Sequence, residues 1–314
     1  MLLRQLAYRL AVSIPVLFGV LTVGFFLMVL VPVDPAVIVA GEAATAERLE
    51  QIRREMGLDR PVIEQFIAYL ERLAHGDFGR SLLSGNPVLS EIFHTLGPTF
   101  ELLIASLLIT IPIGIILGLL AAKWQGSPLD RAIMTFAVVG MSAPAFMTGL
   151  LLMNIVGVGM GLLPVQGRGG PIYTPTGLLH IILPAVTLAM TLIGPIARMT
   201  RTSLLDVIRK DFVRTARSKG IGERRVLIAH ALRNALIPTV NLIGLQAGFL
   251  LGSVVVVETV FAWPGMGRLA VSAIASADAA MAQGAMVFLA VAFVVINLLV
   301  DIVCGILDPR ARAS

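Results

Sequence analysis

The sequence predicts an all-α integral membrane protein of six transmembrane helices with both termini cytoplasmic. Short amphipathic helices are expected in its first external segment, and a helical loop on the cytoplasmic side. Three observations carry that expectation. Of 314 residues, 57% are hydrophobic and 14% charged, with a mean hydropathy of +0.91; a soluble domain is about half apolar and a quarter charged. Six runs of low charge have spanning length. Lys and Arg are distributed unevenly between the two sides that those runs define.

The first run, Leu10–Val31, is 22 residues long and uncharged, enough to cross a hydrocarbon layer of about 30 Å. Arg4 and Arg9 ahead of it resemble the start of a signal peptide, but the run outlasts a signal h-region and reads as an uncleaved first span. The others are Thr99–Ala122, Ala132–Val156, Leu178–Ala197, Ile237–Val260 and Gly284–Leu307. Backbone groups in lipid must be paired within their own segment, so helices are the economical assignment, and barrel alternation is absent. Pro112, Pro144, Pro184 and Pro195 interrupt these runs and are expected to kink helices rather than break them. Residues 1–314 read as one transmembrane domain without internal repeats.

Orientation follows from the cations. With the N-terminus inside, sixteen Lys and Arg face the cytoplasm and eight face out, the positive-inside pattern. The net charge of +5 is then a membrane signature, and no nucleic acid partner is implied. Cys304 is the lone cysteine, so no intrachain disulfide can form.

The external segment, 32–96, is balanced in charge. Thr45 can cap a helix with Glu47 and Glu50 in its first turn and Leu49, Ile52 and Met56 on one face. Asp59 and Pro61 start a second, with Val62, Phe66, Leu70 and Leu73 as its stripe, closed by Gly76-Asp77-Phe78-Gly79. Both should lie on the bundle or the bilayer surface. The segment is either a structural cover or a docking surface for an external partner.

Three acids lie within the runs: Glu101, Glu258 and Asp301. Glu101 falls in the first turn of the second span, where a carboxylate meets the positive helix end. Asp301 suits a pairing with a neighbouring helix. Span five also carries Asn241, Gln246 and Ser253. Gln246 and Ser253 share a face, but Glu258 falls about 140° from Ser253. These four residues either line a passage or tie helices together by hydrogen bonds.

The basic loop, 198–236, is the sharpest feature. Asp211 to Gly222 followed by Glu223 to Asn234 reads as helix, Gly turn, helix, with Pro238 in the first turn of span five. Ala216 and Gly220, four apart, would leave one face low enough for another backbone to approach. The plainer reading is a solvated loop that binds lipid headgroups. No G-x-x-x-x-G-K-[ST] loop, G-x-S-x-G elbow or paired metal-ligand spacing occurs, so no catalytic or metal site is expected.

These residues resemble a known family: the permease subunits of binding-protein-dependent ABC importers, in the dipeptide/oligopeptide/nickel group, more similar to the first (B-type) permease of each pair. Against the superfamily loop E-A-A-x3-G-x9-I-x-L-P, Ala216, Gly220 and Leu232 match. Arg214, Thr215, His230 and Arg233 replace the acid, the first Ala, the Ile and the Pro. The peptide group's own form, R-T-A-R-x-K-G then H-A-L-R-N-A, is met from Arg214 to Gly220 and from His230 to Ala235. Further matches are Asp34-Pro35, Gly57-Leu58-Asp59, Gly76-Asp77-Phe78-Gly79, Pro184, Arg198-Met199-Thr200-Arg201, Trp263-Pro264-Gly265-Met266-Gly267 and Asp308-Pro309-Arg310. The group often has Tyr at Phe212 and R-D-Y-P where this chain reads Ala277-Asp278-Ala279-Ala280.

The resemblance implies half of a translocation pathway in a bacterial inner-membrane importer. Its partners would be a second permease in a heterodimer, two cytoplasmic ATP-binding subunits, an external substrate-binding protein and membrane lipid. ATP and Mg would sit on the partners, with no cofactor on this chain. It marks Arg214, Thr215, Ala216, Arg217, Lys219, Gly220, Glu223, Arg224, His230 and Arg233 as the ATPase-coupling loop. Cargo would be peptides or glutathione-like molecules. A nickel-chelate importer of the same group is an alternative, as are a secondary transporter and a structural membrane protein.

Overall fold

The computed structural model describes residues 2–30, 34–41, 44–222, 225–226 and 231–307. The side chains of residues 1–10, 247, 301 and 303–307 lie outside that description, and with them the expectations for Asp301 and Cys304. Among the described residues the regular secondary structure is all helical, joined by turns and loops, with one isolated bridge between Arg80 and Pro87. Four helices are long and apolar enough to cross a membrane singly, and two bent pairs raise the number to six if each pair is one span.

The chain divides into two compact units. One is built on Phe100–Trp263 with the last helix from Val295 onward, the other on Leu3–Thr99 and Pro264–Val294.

The second unit begins with α1, Leu2–Leu30. Asp34 caps the short helix α2, Pro35–Ala40, accepting the Ala36 N–H at 2.9 Å, with Pro35 in the first turn where its missing N–H costs nothing. Arg53 of α3, Ala46–Glu55, donates to the same Asp34 carboxylate at 2.7 Å. Thr45 caps α3 as its sequence position requires, and Ile52 is buried. Helix α4, Val62–Ala74, turns Phe66 and Tyr69 against Phe25 of α1, with ring centroids 5.2 and 5.5 Å apart. Tyr69, absent from the expected stripe, is the buried residue of this helix.

Helix α5, Val88–Lys123, starts eleven residues before the expected second span, absorbing the end of the external segment. In the last part of this unit, Thr99 accepts the N–H of Met266 at 2.8 Å, at the start of α11, Met266–Ala275. The final helix, α12, is Ala279–Leu307. Asp278 caps it through the Met281 N–H and also takes a hydrogen bond from buried Ser81. The outer loop that departs from the expected R-D-Y-P therefore still places a buried acid in a structural role.

The other unit is centred on α8, Pro175–Ile208, which is buried along most of its length. Its Pro184 and Pro195 are tolerated inside one continuous helix, as expected in a bundle. Pro144 behaves differently. It drives the preceding Ala143 into an extended conformation, φ −78° and ψ 128°, the steric effect of a proline on its predecessor. Helix α6, Pro128–Ser142, ends there, and α7, Ala145–Leu152, continues as π-helical turns over Met153–Gly159 at 107° to it. The third expected span is thus two helices at a break, not one kinked helix.

Small residues set the helix spacing. A Cβ added at Gly118 of α5 would lie 2.6 Å from the Ala197 carbonyl oxygen of α8, and one at Gly114 would lie 2.6 Å from Ile196. Gly194 of α8 meets the Ala137 carbonyl of α6 in the same way, at 2.3 Å. Packing at backbone distance replaces the hydrophobic driving force that lipid cannot supply. Helix α10, Arg233–Val260, runs against α8, where Thr200 and Thr239 share a buried hydrogen bond at 3.3 Å. Pro238 lies inside α10 and not in its first turn, because the helix already starts at Arg233.

One ion pair braces α6 against α8. Arg201 donates from both Nε and Nη2 to Asp130, each at 2.7 Å, and Asp130 also accepts the Gly126 N–H at 2.9 Å. Its side chain is 5% exposed and that of Arg201 is 23% exposed. Arg201→Ala leaves a buried carboxylate without its cation, and we expect a loss of about 3 kcal/mol, read as a lowered Tm of the detergent-solubilised chain.

Candidate functional site

The basic loop is more helical than its sequence alone suggests. Residues 198–208 continue α8, so the chain leaves that helix only at Arg209. A single extended residue, Lys210, then leads into α9, Asp211–Ser218, with Asp211 in the first turn facing the positive helix end.

Val213 and Ala216, one turn apart, are buried. They pack with Leu204 and Val207 at the end of α8, Ala122 at the end of α5, and Val226, Ala231 and Ala235. This corrects the expectation for Ala216. It does not offer a low face to an incoming backbone. It faces the chain's own helices, because it and Val213 form the apolar pair that can share one face there. Arg214, Thr215 and Ser218 are exposed on the opposite side of α9, Phe212 and Arg217 are exposed at the two edges of its buried face, and Lys219 follows.

Gly220 has a different reason to be glycine from the expected close approach. Its φ is +75°, and a Cβ built on it would meet nothing within 4 Å. Its N–H donates to the Arg217 carbonyl at 2.9 Å and that of Ile221 to the Ala216 carbonyl, a left-handed helix ending that suits a residue without Cβ. Gly220→Val is therefore expected to cost about 1–2 kcal/mol through backbone strain, whereas Gly220→Asn should be milder. Thermal unfolding of the two purified variants separates them, and equal losses would point to crowding instead.

Arg233 is exposed at the start of α10. Glu223, Arg224 and His230 lie outside the described residues, as do Asp308, Pro309 and Arg310. Phe212 is the residue that sequence reasoning left out of the site: 43% exposed, it places an aromatic ring at one edge of the buried face of α9. Its signal was available in its position next to Val213 on an amphipathic helix, and aromatic residues are enriched in protein interfaces.

The four polar residues of span five are not brought together. Asn241 is exposed, Gln246 and Ser253 are half-buried, and Glu258 is fully buried beside Val257 and Phe261. The exposed face of α10 is apolar, through Leu245 and Phe249. Around Glu258 the chain is tightly folded: the Trp263 N–H donates to the Glu258 carbonyl, and the Gly167 N–H to that of Phe261, each at 2.8 Å.

Glu101 is not in a first helical turn, since α5 begins at Val88. Its charge is met instead by Arg168, which donates to it at 2.8 Å and ties the loop of residues 160–174 to α5. Both side chains are about a fifth exposed.

Comparison with known proteins places this geometry. The family of binding-protein-dependent transport system inner membrane components matches over residues 114–313, and the N-terminal region of such components over residues 2–114. A Brucella abortus protein named for a peptide transport system permease is 44% identical over 305 residues, 97% of each chain. The glutathione transport system permease protein GsiC of Pectobacterium atrosepticum is 41% identical over 311 residues, and that of Escherichia coli K12 is 40% identical, each covering 99% of both chains.

Proposed function

The chain belongs to the binding-protein-dependent transport system inner membrane components, and from that membership we propose how it works as the permease subunit of an ABC peptide importer in a bacterial inner membrane. Permeases of this family work with other permease, ATP-binding and binding-protein components. We read the chain as six spans with both termini cytoplasmic, forming half of the pathway beside a second permease. ATP and Mg belong to two cytoplasmic ATP-binding subunits, and an external binding protein delivers the cargo. End-to-end identity to peptide and glutathione permeases supports peptides or glutathione-like molecules as that cargo.

The coupling role goes to α9. The observation that carries it is the split character of this helix: Val213 and Ala216 locked into the chain's own core, Arg214 and Thr215 turned outward, with Phe212 exposed at one edge. A helix anchored on its underside moves as a rigid body with α8, so a push on its exposed face is transmitted to the bundle. A solvated loop would have no such anchor.

Proteoliposomes holding this chain with its second permease and ATP-binding subunits test the reading. With the binding protein added, labelled dipeptide or glutathione should accumulate only with ATP and only when this chain is present. Uptake by the chain alone, without ATP, would show a secondary transporter and overturn the proposal.

A further inference from the structure

The Gly76-Asp77-Phe78-Gly79 motif lies beside a cleft that the transport reading does not use. The cleft opens between the end of α4 and the first turns of α12, within one compact unit. Its cavity volume is about 40 Å³, open at the mouth, and its polar lining is Tyr69, Arg72, Asp77 and Gln283.

The backbone explains why these groups converge. Gly76 and Gly79 have φ of +76° and +74°, two left-handed turns that fold the chain back sharply after α4. Phe78 packs on Phe288 of α12, ring centroids 5.3 Å apart. Gly284 lets α12 approach, since a Cβ there would lie 2.5 Å from Val88.

Three donors line the cleft without a hydrogen-bond partner among the described residues: the Tyr69 hydroxyl, the Arg72 guanidinium and the Gln283 amide. Tyr69 is only 6% exposed, and its hydroxyl is the part that opens to the cleft. Burial pushes its phenol up to about 12 against the opposing charge of Arg72, which keeps the O–H a donor at any physiological pH. Donors of this kind suit an oxyanion, and the planar guanidinium suits carboxylate or phosphate. A bare anion site would not carry Asp77, however. One of its oxygens accepts the Gly79 N–H at 2.9 Å, and its second oxygen has no partner among the described residues and is available to a cation.

We propose that this cleft is a binding site for a small zwitterion, an oxyanion carrying an ammonium group, with the anion held by Tyr69, Arg72 and Gln283 and the ammonium by Asp77. Two sources share that chemistry: the headgroup of an aminophospholipid and the free end of an amino acid or peptide.

Equilibrium dialysis of the full-length chain, purified in detergent free of aminophospholipid, tests it with labelled phosphoethanolamine, dialanine and inorganic phosphate. At least one zwitterion should bind saturably, and at least tenfold more tightly than phosphate. Tyr69→Phe, which keeps the ring packing, should weaken that binding about fivefold, and Arg72→Ala and Asp77→Asn at least tenfold. Binding of phosphoethanolamine alone assigns the lipid source, dialanine alone the peptide source, and both together the shared chemistry. No saturable zwitterion binding, phosphate binding as tightly as the zwitterions, or variants within twofold of the native chain would overturn the proposal.

Discussion

Gly118→Leu is expected to remove the folded chain from the membrane. At this position α5 and α8 meet at backbone distance, with space for no side-chain atom: the first added carbon would already lie 2.6 Å from the Ala197 carbonyl oxygen and 2.6 Å from Thr200. Neither obstacle is the far end of a flexible side chain. Relief requires α5 to move away from α8, and that movement also disturbs Gly114 one turn away, the Thr200–Thr239 hydrogen bond and the buried cluster of Leu192 and Ile196. Overpacking of a tight core costs about 1–3 kcal/mol where side chains can adjust, and here the backbone itself must yield, so about 3 kcal/mol or more is expected. Gly252→Ala, inside α10, is the control. A Cβ there meets nothing within 4 Å, and the gain in helix propensity should leave stability level or raised by up to about 1 kcal/mol. Size-exclusion profiles and Tm in detergent read both. A monodisperse Gly118→Leu chain with native Tm would show that the two helices do not pack as closely as described.

The second large effect concerns function. Arg214→Glu with Lys219→Glu reverses two charges on the exposed side of α9, where neither side chain supports the buried cluster beneath. Exposed substitutions of this kind usually change stability by less than about 0.5 kcal/mol. The chain should therefore insert and assemble at native level. Uptake should nonetheless fall at least tenfold, because the face proposed to meet an ATP-binding subunit has its charge reversed. Phe212→Ala should act in the same direction through loss of an exposed aromatic ring. Val213→Asp is a useful contrast. It places a charge in the cluster with Leu204 and Val207 and should reduce folded protein as well as uptake.

Much of the fold was readable from residue patterns because its causes are local. Thr45 announces its cap and the apolar runs their helices. What escaped was set by contacts between distant segments. Pro144 and Pro195 look alike in sequence, yet one breaks a helix and the other sits buried within one; only the neighbours that pack around them decide. Glu101 was read as a helix-end charge because the apolar run begins near it, while the helix begins at Val88 and the charge is answered from Arg168, 67 residues away. Within the candidate site, the helix was legible and the direction of its residues was not. The small residue Ala216 suggested an open face, but Leu204 and Val207 cover it. For Gly220 the identity was right and the reason was conformational.

The central claim is that the outward face of α9 meets an ATP-hydrolysing subunit. Its most direct measurement is site-specific cross-linking from Thr215→Cys, made in a Cys304→Ser background so that the new thiol is the chain's only cysteine. In the assembled importer, a short bifunctional reagent should join Thr215→Cys to an ATP-binding subunit, and addition of ATP should change the yield. Leu83→Cys, exposed in the segment expected outside the membrane, should give no such product. An active complex in which Thr215→Cys never links to an ATP-binding subunit, or in which Leu83→Cys does, would contradict the account.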